Sequence, residues 1–134
     1  NGVLSKKEDL IAQCPMASLC YATNILRSRF PLGELTIASN PAYALDYAKF
    51  VIKGRFEAGE NAIAKDSYRA FRYATDVIKG RFLLGEPTIK KDGLLWIEYI
   101  KFSFEEVSLL DSLSRYEFTS FIRYYISFSI APTE

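Results

Sequence analysis

Arginine and glutamate recur along this 134-residue chain at a spacing that suggests chemistry. Arg29, Arg55 and Arg81 stand 26 residues apart, and Glu34, Glu60 and Glu86 keep the same step. A second basic column, Arg27, Lys53 and Lys79, runs two residues ahead of the arginines. Two rows of cations along one edge are a way to track a phosphate backbone. A planar guanidinium also matches a carboxylate, so each arginine is suited to pairing with a glutamate of its own or the adjacent repeat. Both columns end together, because the next positions on the beat are Val107 and Ser112. Groups that serve one another are lost together, whereas a phosphate ladder has no reason to shed its acids. Structural ion pairs are therefore the expected role of these arginines and glutamates. Arg27, Lys53 and Lys79 remain the candidate phosphate contacts.

Composition removes most catalytic alternatives. The chain has no histidine, which excludes Ser-His-Asp and Cys-His nucleophiles, histidine-ligated metals and imidazole switches. Two cysteines, Cys14 and Cys20, cannot build a four-ligand zinc site or a disulfide-dense scaffold. They are expected as free, partly buried thiols in a reducing cytoplasm, with Cys20 a small apolar filler on a helix. Glu105 and Glu106 are adjacent, so on a helix they do not face one another. A solvated face or a helix start is expected there rather than acid–base work. No Gly-rich phosphate loop occurs, since Gly33, Gly59 and Gly85 are single residues locked to the 26-residue beat. The expectation is a non-enzyme without cofactor or metal.

The elements that carry these columns follow from the repeat. Tyr21-Ala22, Tyr47-Ala48 and Tyr73-Ala74 keep the step, as do Phe30, Phe56, Phe82 and Ile37, Ile63, Ile89. Residues 41–66 and 67–92 share 14 identities over 26 positions. In the second copy, Asn40-Pro41 is a helix start, with Asn as the cap and Pro where its missing N–H is harmless. Ala44, Tyr47, Ala48, Val51 and Ile52 make one apolar stripe at helical spacing. Lys53-Gly54 is the stop, with glycine expected in the left-handed C′ conformation. This predicts a helix of about 13 residues, about 20 Å long. A shorter helix near Glu57–Lys65 carries Ile63 inward. Neither helix buries enough surface alone. The small column Ser18, Ala44, Ala70 allows adjacent helices to approach closely, and stacking supplies the missing burial.

The expected architecture is thus all-α: an α-solenoid of short helical hairpins with an aromatic-rich C-terminal helical cap. Residues 1–14 are the lead-in and 15–40, 41–66 and 67–92 the clear repeats. An atypical unit begins at Gly93, where Trp96 replaces the small residue while Tyr99 keeps the beat. Residues 103–134 are a helical cap or an interaction segment, with Phe118, Phe121, Ile122, Tyr125 and Ile126 forming a stripe suited to capping, partner binding or self-association. No apolar run reaches the ~18 residues of a membrane span. No signal-peptide pattern opens the sequence, and its start at Asn1 is expected of a trimmed chain.

Constant columns serve a scaffold, whereas positions free to vary are where repeat proteins place partner contacts. The column Cys20, Asp46, Arg72, Glu98 and the column Asn24, Phe50, Asp76, Phe102 change chemistry from unit to unit. Asp46, Lys49, Phe50, Arg72, Asp76, Glu98 and Phe102 are the candidate partner-binding residues. A net charge of +1 and a mixed surface with exposed Phe favour a protein partner over nucleic acid, which stays the alternative.

The pattern Tyr-Ala-x-x-Val-Ile-Lys-Gly-Arg-Phe-x-x-Gly-Glu-x-x-Ile-x-Lys-Asp at Tyr73–Asp92 resembles a short helical repeat of tailed-phage and giant-virus proteins, over residues 15–102. In those repeats the aromatic is usually Trp followed by Pro-Glu-Ala-Glu. Here Phe30, Phe56 and Phe82 stand in its place, and only Pro31 keeps the proline. The resemblance implies a helical stack and a viral origin. A viral lifestyle in turn suggests occlusion of a host complex, such as a defence nuclease, in the host cytoplasm.

Overall fold

The computed structural model describes residues 2–106, with side chains for residues 6–103. The tail stripe from Phe118 to Ile126 and its proposed capping or self-association lie outside the described residues. Within them the chain is all-helical, and helices pack on helices. α1 is Gly2–Ala12. α2 (Pro15–Cys20), α4 (Pro41–Tyr47) and α6 (Ser67–Arg72) each continue into a π-helical segment, Tyr21–Leu26, Ala48–Ile52 and Tyr73–Ile78 respectively. The short helices are α3 (Glu34–Ala38), α5 (Glu57–Ile63) and α7 (Glu86–Ile89). Single 3-10 turns, Pro31–Gly33 and Leu83–Gly85, lead into α3 and α7. α8 is Gly93–Glu106, so Glu105 and Glu106 lie inside a helix rather than at a helix start.

The starts are set by side-chain caps. Asn40 accepts from the Ala42 N–H at 2.9 Å and the Tyr43 N–H at 3.2 Å. Asp66 accepts from the Arg69 N–H at 2.9 Å. These bonds satisfy amides that the first helical turn leaves unpaired. Cys14 extends into α2 with no side-chain cap, and only Pro15 at the first helical position is retained.

The stops differ from the expectation. The left-handed residue is not glycine but Arg27, Lys53 and Lys79, with φ of 51°, 58° and 55°, and no described glycine has positive φ. The carbonyl of Ala48 accepts from both the Lys53 and the Gly54 N–H groups. This wide turn moves the reversal of the chain one residue earlier than a glycine stop would place it.

The core is built from the repeated columns. Ala44, Ala70, Tyr47, Tyr73, Ile37, Ile63 and Ile89 are fully buried, and Phe30, Phe56 and Phe82 nearly so. Tyr and Phe of one unit pack ring to ring, with centroids 5.0 Å apart for Tyr47–Phe56 and 4.9 Å for Tyr73–Phe82. A Cβ on Gly59 would lie 2.8 Å from Ala44 Cβ and 2.7 Å from Phe56. A Cβ on Gly85 would meet Ala70 and Phe82 in the same way. The small column Ser18, Ala44, Ala70 therefore allows the close approach expected of it, against Gly33, Gly59 and Gly85 of its own unit. Cys14 and Cys20 are free and exposed, so neither is the partly buried filler expected. No described helix is long and apolar enough to cross a membrane.

Candidate binding surface

Each repeated arginine is engaged within its own unit. Arg29 Nε and Nη2 donate to Glu34 Oε1 and Oε2 at 2.8 and 3.0 Å. Arg55–Glu60 and Arg81–Glu86 repeat this two-pronged geometry. The same glutamates also accept from the next unit. Tyr47, Tyr73 and Tyr99 hydroxyls donate to Glu34, Glu60 and Glu86 at 2.8 Å. Those hydroxyls in turn accept from the buried Phe30, Phe56 and Phe82 N–H groups at 2.9 Å. A relay of guanidinium, carboxylate, phenol and amide thus ties each long helix to the turn of the preceding unit. Burial, reinforced by the carboxylate, pushes the Tyr99 hydroxyl up to about 12. Burial likewise raises Tyr47 to about 12, against the opposing effect of the Phe30 amide, and it raises Tyr73 as well. The Arg29 guanidinium holds the Glu34 carboxyl below its ordinary value despite partial burial. The glutamates are enclosed by scaffold groups, and each arginine, though open to solvent on its outer side, already holds its carboxylate partner.

Glu8 belongs to the same column but escaped the sequence reading. It lies 26 residues before Glu34, and Ile11 lies 26 before Ile37. In the fold, the Tyr21 hydroxyl donates to Glu8 Oε1 at 2.9 Å. α1 thus plays toward α2 the part that α3 plays toward α4. The signal was a Glu-x-x-Ile pair on the beat, without the Arg-Phe and Gly that mark the other copies.

The variable residues converge on the long helices of the second and third units. A depression of ≈ 230 Å³ is lined by Ala42, Leu45, Asp46 and Lys49 from one side and Tyr68, Arg69 and Arg72 from the other. Beyond it, toward the helix ends, a notch of ≈ 320 Å³ is lined by Lys49, Lys53, Gly54, Asp76, Lys79 and flanking Ala48 and Val77. Asp76 is the hub between them. It pairs with Arg72 at 2.7 Å and, across the unit boundary, with Lys49 at 3.2 Å, and it accepts from Thr75 Oγ1 at 3.1 Å. Burial pushes its carboxyl up, but hydrogen bonds from Arg72, Lys49 and Thr75 outweigh that and leave it below its ordinary value. Phe50 projects outward, 61% exposed, with Lys49 Nζ 5.2 Å from its ring centre. Tyr68 and Arg69, not singled out from the sequence, complete the wall, with Arg69 held by Asp66 at 2.9 Å.

Glu98 and Phe102 line neither depression. Glu98 is exposed beside Lys101 at 3.5 Å, and Phe102 is half-buried. Arg27, Lys53 and Lys79 are exposed and, among the described residues, make no ion pair. No group of three or more His, Cys, Asp or Glu is placed to hold a metal among the described residues.

The chain matches no protein-family profile, no curated protein and no solved structure.

Proposed function

We propose that this chain is an α-solenoid of 26-residue units that binds another protein through the face formed by its long helices. One observation carries the reading. The repeated arginines, glutamates, tyrosines and phenylalanines are consumed by the scaffold relay, while Asp46, Lys49, Arg72 and Asp76, which vary, line the depressions between consecutive long helices beside exposed Phe50. Mixed charge around an exposed aromatic is the composition of a protein-recognition surface. The resemblance to viral helical repeats favours inhibition of a host complex by occlusion. The exposed free thiols Cys14 and Cys20 suit a reducing compartment such as the host cytoplasm.

Affinity capture from host lysate with wild-type chain and a Phe50→Ala/Arg72→Glu variant tests this. The expected result is a partner retained by the wild type and lost by the variant, with the helical circular-dichroism signal retained at the temperature of the assay. Equal capture by both rejects this face.

Nucleic-acid binding keeps one supporting observation, the unpaired cations Arg27, Lys53 and Lys79. Against it stand the net charge of +1 and the carboxylate of Asp76 inside the notch that two of those cations border. No specific binding of a ~30-base oligonucleotide is expected at ~150 mM salt, where surface charges are screened beyond about 8 Å.

A further inference from the structure

Arg27, Lys53 and Lys79 share a column, and each holds a left-handed backbone. That conformation is strained for a residue with a Cβ and free of strain for glycine. Glycine follows directly at Gly54 and Gly80, yet neither takes positive φ. Stability alone would favour the reverse order. Strain placed on a repeated basic side chain, with the strain-free residue next door, points to a use for that side chain.

Pairing points the same way. On this face Lys49, Arg69 and Arg72 all sit in ion pairs. The three left-handed cations make none among the described residues. Lys53 and Lys79 border the notch of ≈ 320 Å³, and its one acid, Asp76, is already held by Arg72 and Lys49. The positive charge there is uncompensated, and exposed Phe50 lies one helical turn before Lys53.

Consecutive long helices contact one another through their π segments, so these cations advance by about 10 Å per unit, the usual spacing of packed helices. A peptide in the extended polyproline II form rises about 3.1 Å per residue with three residues per turn, so every third side chain lies on one edge. An acidic side chain at every third residue therefore meets one cation per unit. A continuous polyanion fits less well, because the net charge is only +1 and the carboxylate of Asp46, which makes no ion pair among the described residues, lies on the same face.

We propose that Arg27, Lys53 and Lys79 bind an extended acidic segment of the partner protein, with an apolar side chain of that segment against Phe50. This rests on the protein-binding reading above and names the chemistry of the partner.

The probe is a fluorescein-labelled twelve-residue peptide with Glu at every third position and Leu and Ser between, titrated by anisotropy at about 50 mM salt, where screening is modest. A Gln-for-Glu peptide and an oligothymidylate of equal length are the comparisons. The Glu peptide is expected to bind and the Gln peptide to bind at least tenfold more weakly. The triple variant Arg27→Gly, Lys53→Gly, Lys79→Gly is expected to lose at least tenfold in affinity with an unchanged or higher melting temperature. Phe50→Ala is expected to lose severalfold. The proposal is overturned by equal binding of the Glu and Gln peptides, by no binding at millimolar peptide, or by undiminished binding to the triple variant. Tighter, variant-sensitive binding of the oligothymidylate overturns it in favour of nucleic acid. A lysate partner lost by Phe50→Ala/Arg72→Glu but kept by the triple glycine variant removes this assignment and leaves the protein-binding reading standing.

Discussion

The hydroxyl of Tyr73 lies 2.9 Å from the backbone nitrogen of Phe56, 17 residues earlier, and accepts its hydrogen in the core. The chain turns sharply after Lys53, which strands the Phe56 amide without a helical acceptor. The next unit's tyrosine supplies one and passes its own proton to Glu60. Tertiary packing between units and the local turn within a unit therefore stabilise each other.

Tyr73→Phe removes that acceptor while keeping the ring. A buried amide left unsatisfied costs about 1–3 kcal/mol, so the variant should lose about that much in urea unfolding. Tyr43→Phe, whose hydroxyl has no hydrogen bond among the described residues, should change stability by less than about 0.5 kcal/mol. Equal effects of the two substitutions would contradict the relay.

The two ends of the relay are unequal. The Glu60 side chain is 11% exposed and serves both Arg55 and Tyr73, whereas Arg55 is 55% exposed and serves Glu60 alone. Glu60→Ala should cost on the order of 1–3 kcal/mol, and Arg55→Ala no more than about 1 kcal/mol because solvent screens its half of the pair. The double variant should lose less than the sum, since both single changes break one interaction. Denaturant unfolding of all three variants checks the order, and a larger loss from Arg55→Ala would refute it.

The two glycine columns should respond in opposite senses. Gly59→Ala forces a Cβ to within 2.8 Å of Ala44 Cβ, overpacking that typically costs about 1–3 kcal/mol. Gly54→Ala meets only Ile52, at 4.0 Å, at a position without positive φ. It should be neutral or stabilising by up to about 1 kcal/mol through the unfolded chain. Thermal melts of the two single variants read the contrast directly.

Lys53→Gly should raise stability or leave it unchanged. It relieves a left-handed backbone at φ 58°, strain of about 1–2 kcal/mol, offset by about 0.5–1 kcal/mol of extra unfolded-state entropy. A clear fall in melting temperature would show that the lysine side chain itself stabilises the helix end.

Alkali should unfold the protein through its buried phenols. The protonated form is the one the folded state favours, and Tyr47 and Tyr99 are pushed up to about 12 from an ordinary 10.0. A raised folded value contributes stability that is complete below about pH 10 and is lost as pH rises toward 12. Absorbance of tyrosinate and far-UV circular dichroism, followed together, should show a late ionisation step coincident with loss of helix. Smooth ionisation of all tyrosines near pH 10 with helix intact would contradict the burial.

Periodicity made much of this molecule legible before any coordinates. Helix starts at Pro15, Pro41, Ser67 and Gly93 could be read because Asn40, Asp66 and proline act locally, through amides a few residues away. The inward residues Tyr47, Tyr73, Ile63 and Ile89 could be read because one helical stripe has one buried side. A sequence pattern is silent, however, about which of two neighbouring residues absorbs a reversal of the chain, and Lys53 rather than Gly54 does so. It is equally silent about a hydroxyl that acts 17 residues back, and about Glu8, which lacks the arginine, phenylalanine and glycine that mark the other copies. The convergence of Asp76 on both Arg72 and Lys49 depends on how closely two units pack. Local chemistry decides where helices begin and which side they bury. Distances between units arise only when tyrosine, glycine and alanine columns are brought together, and those distances decide which charges are neutralised and which remain exposed.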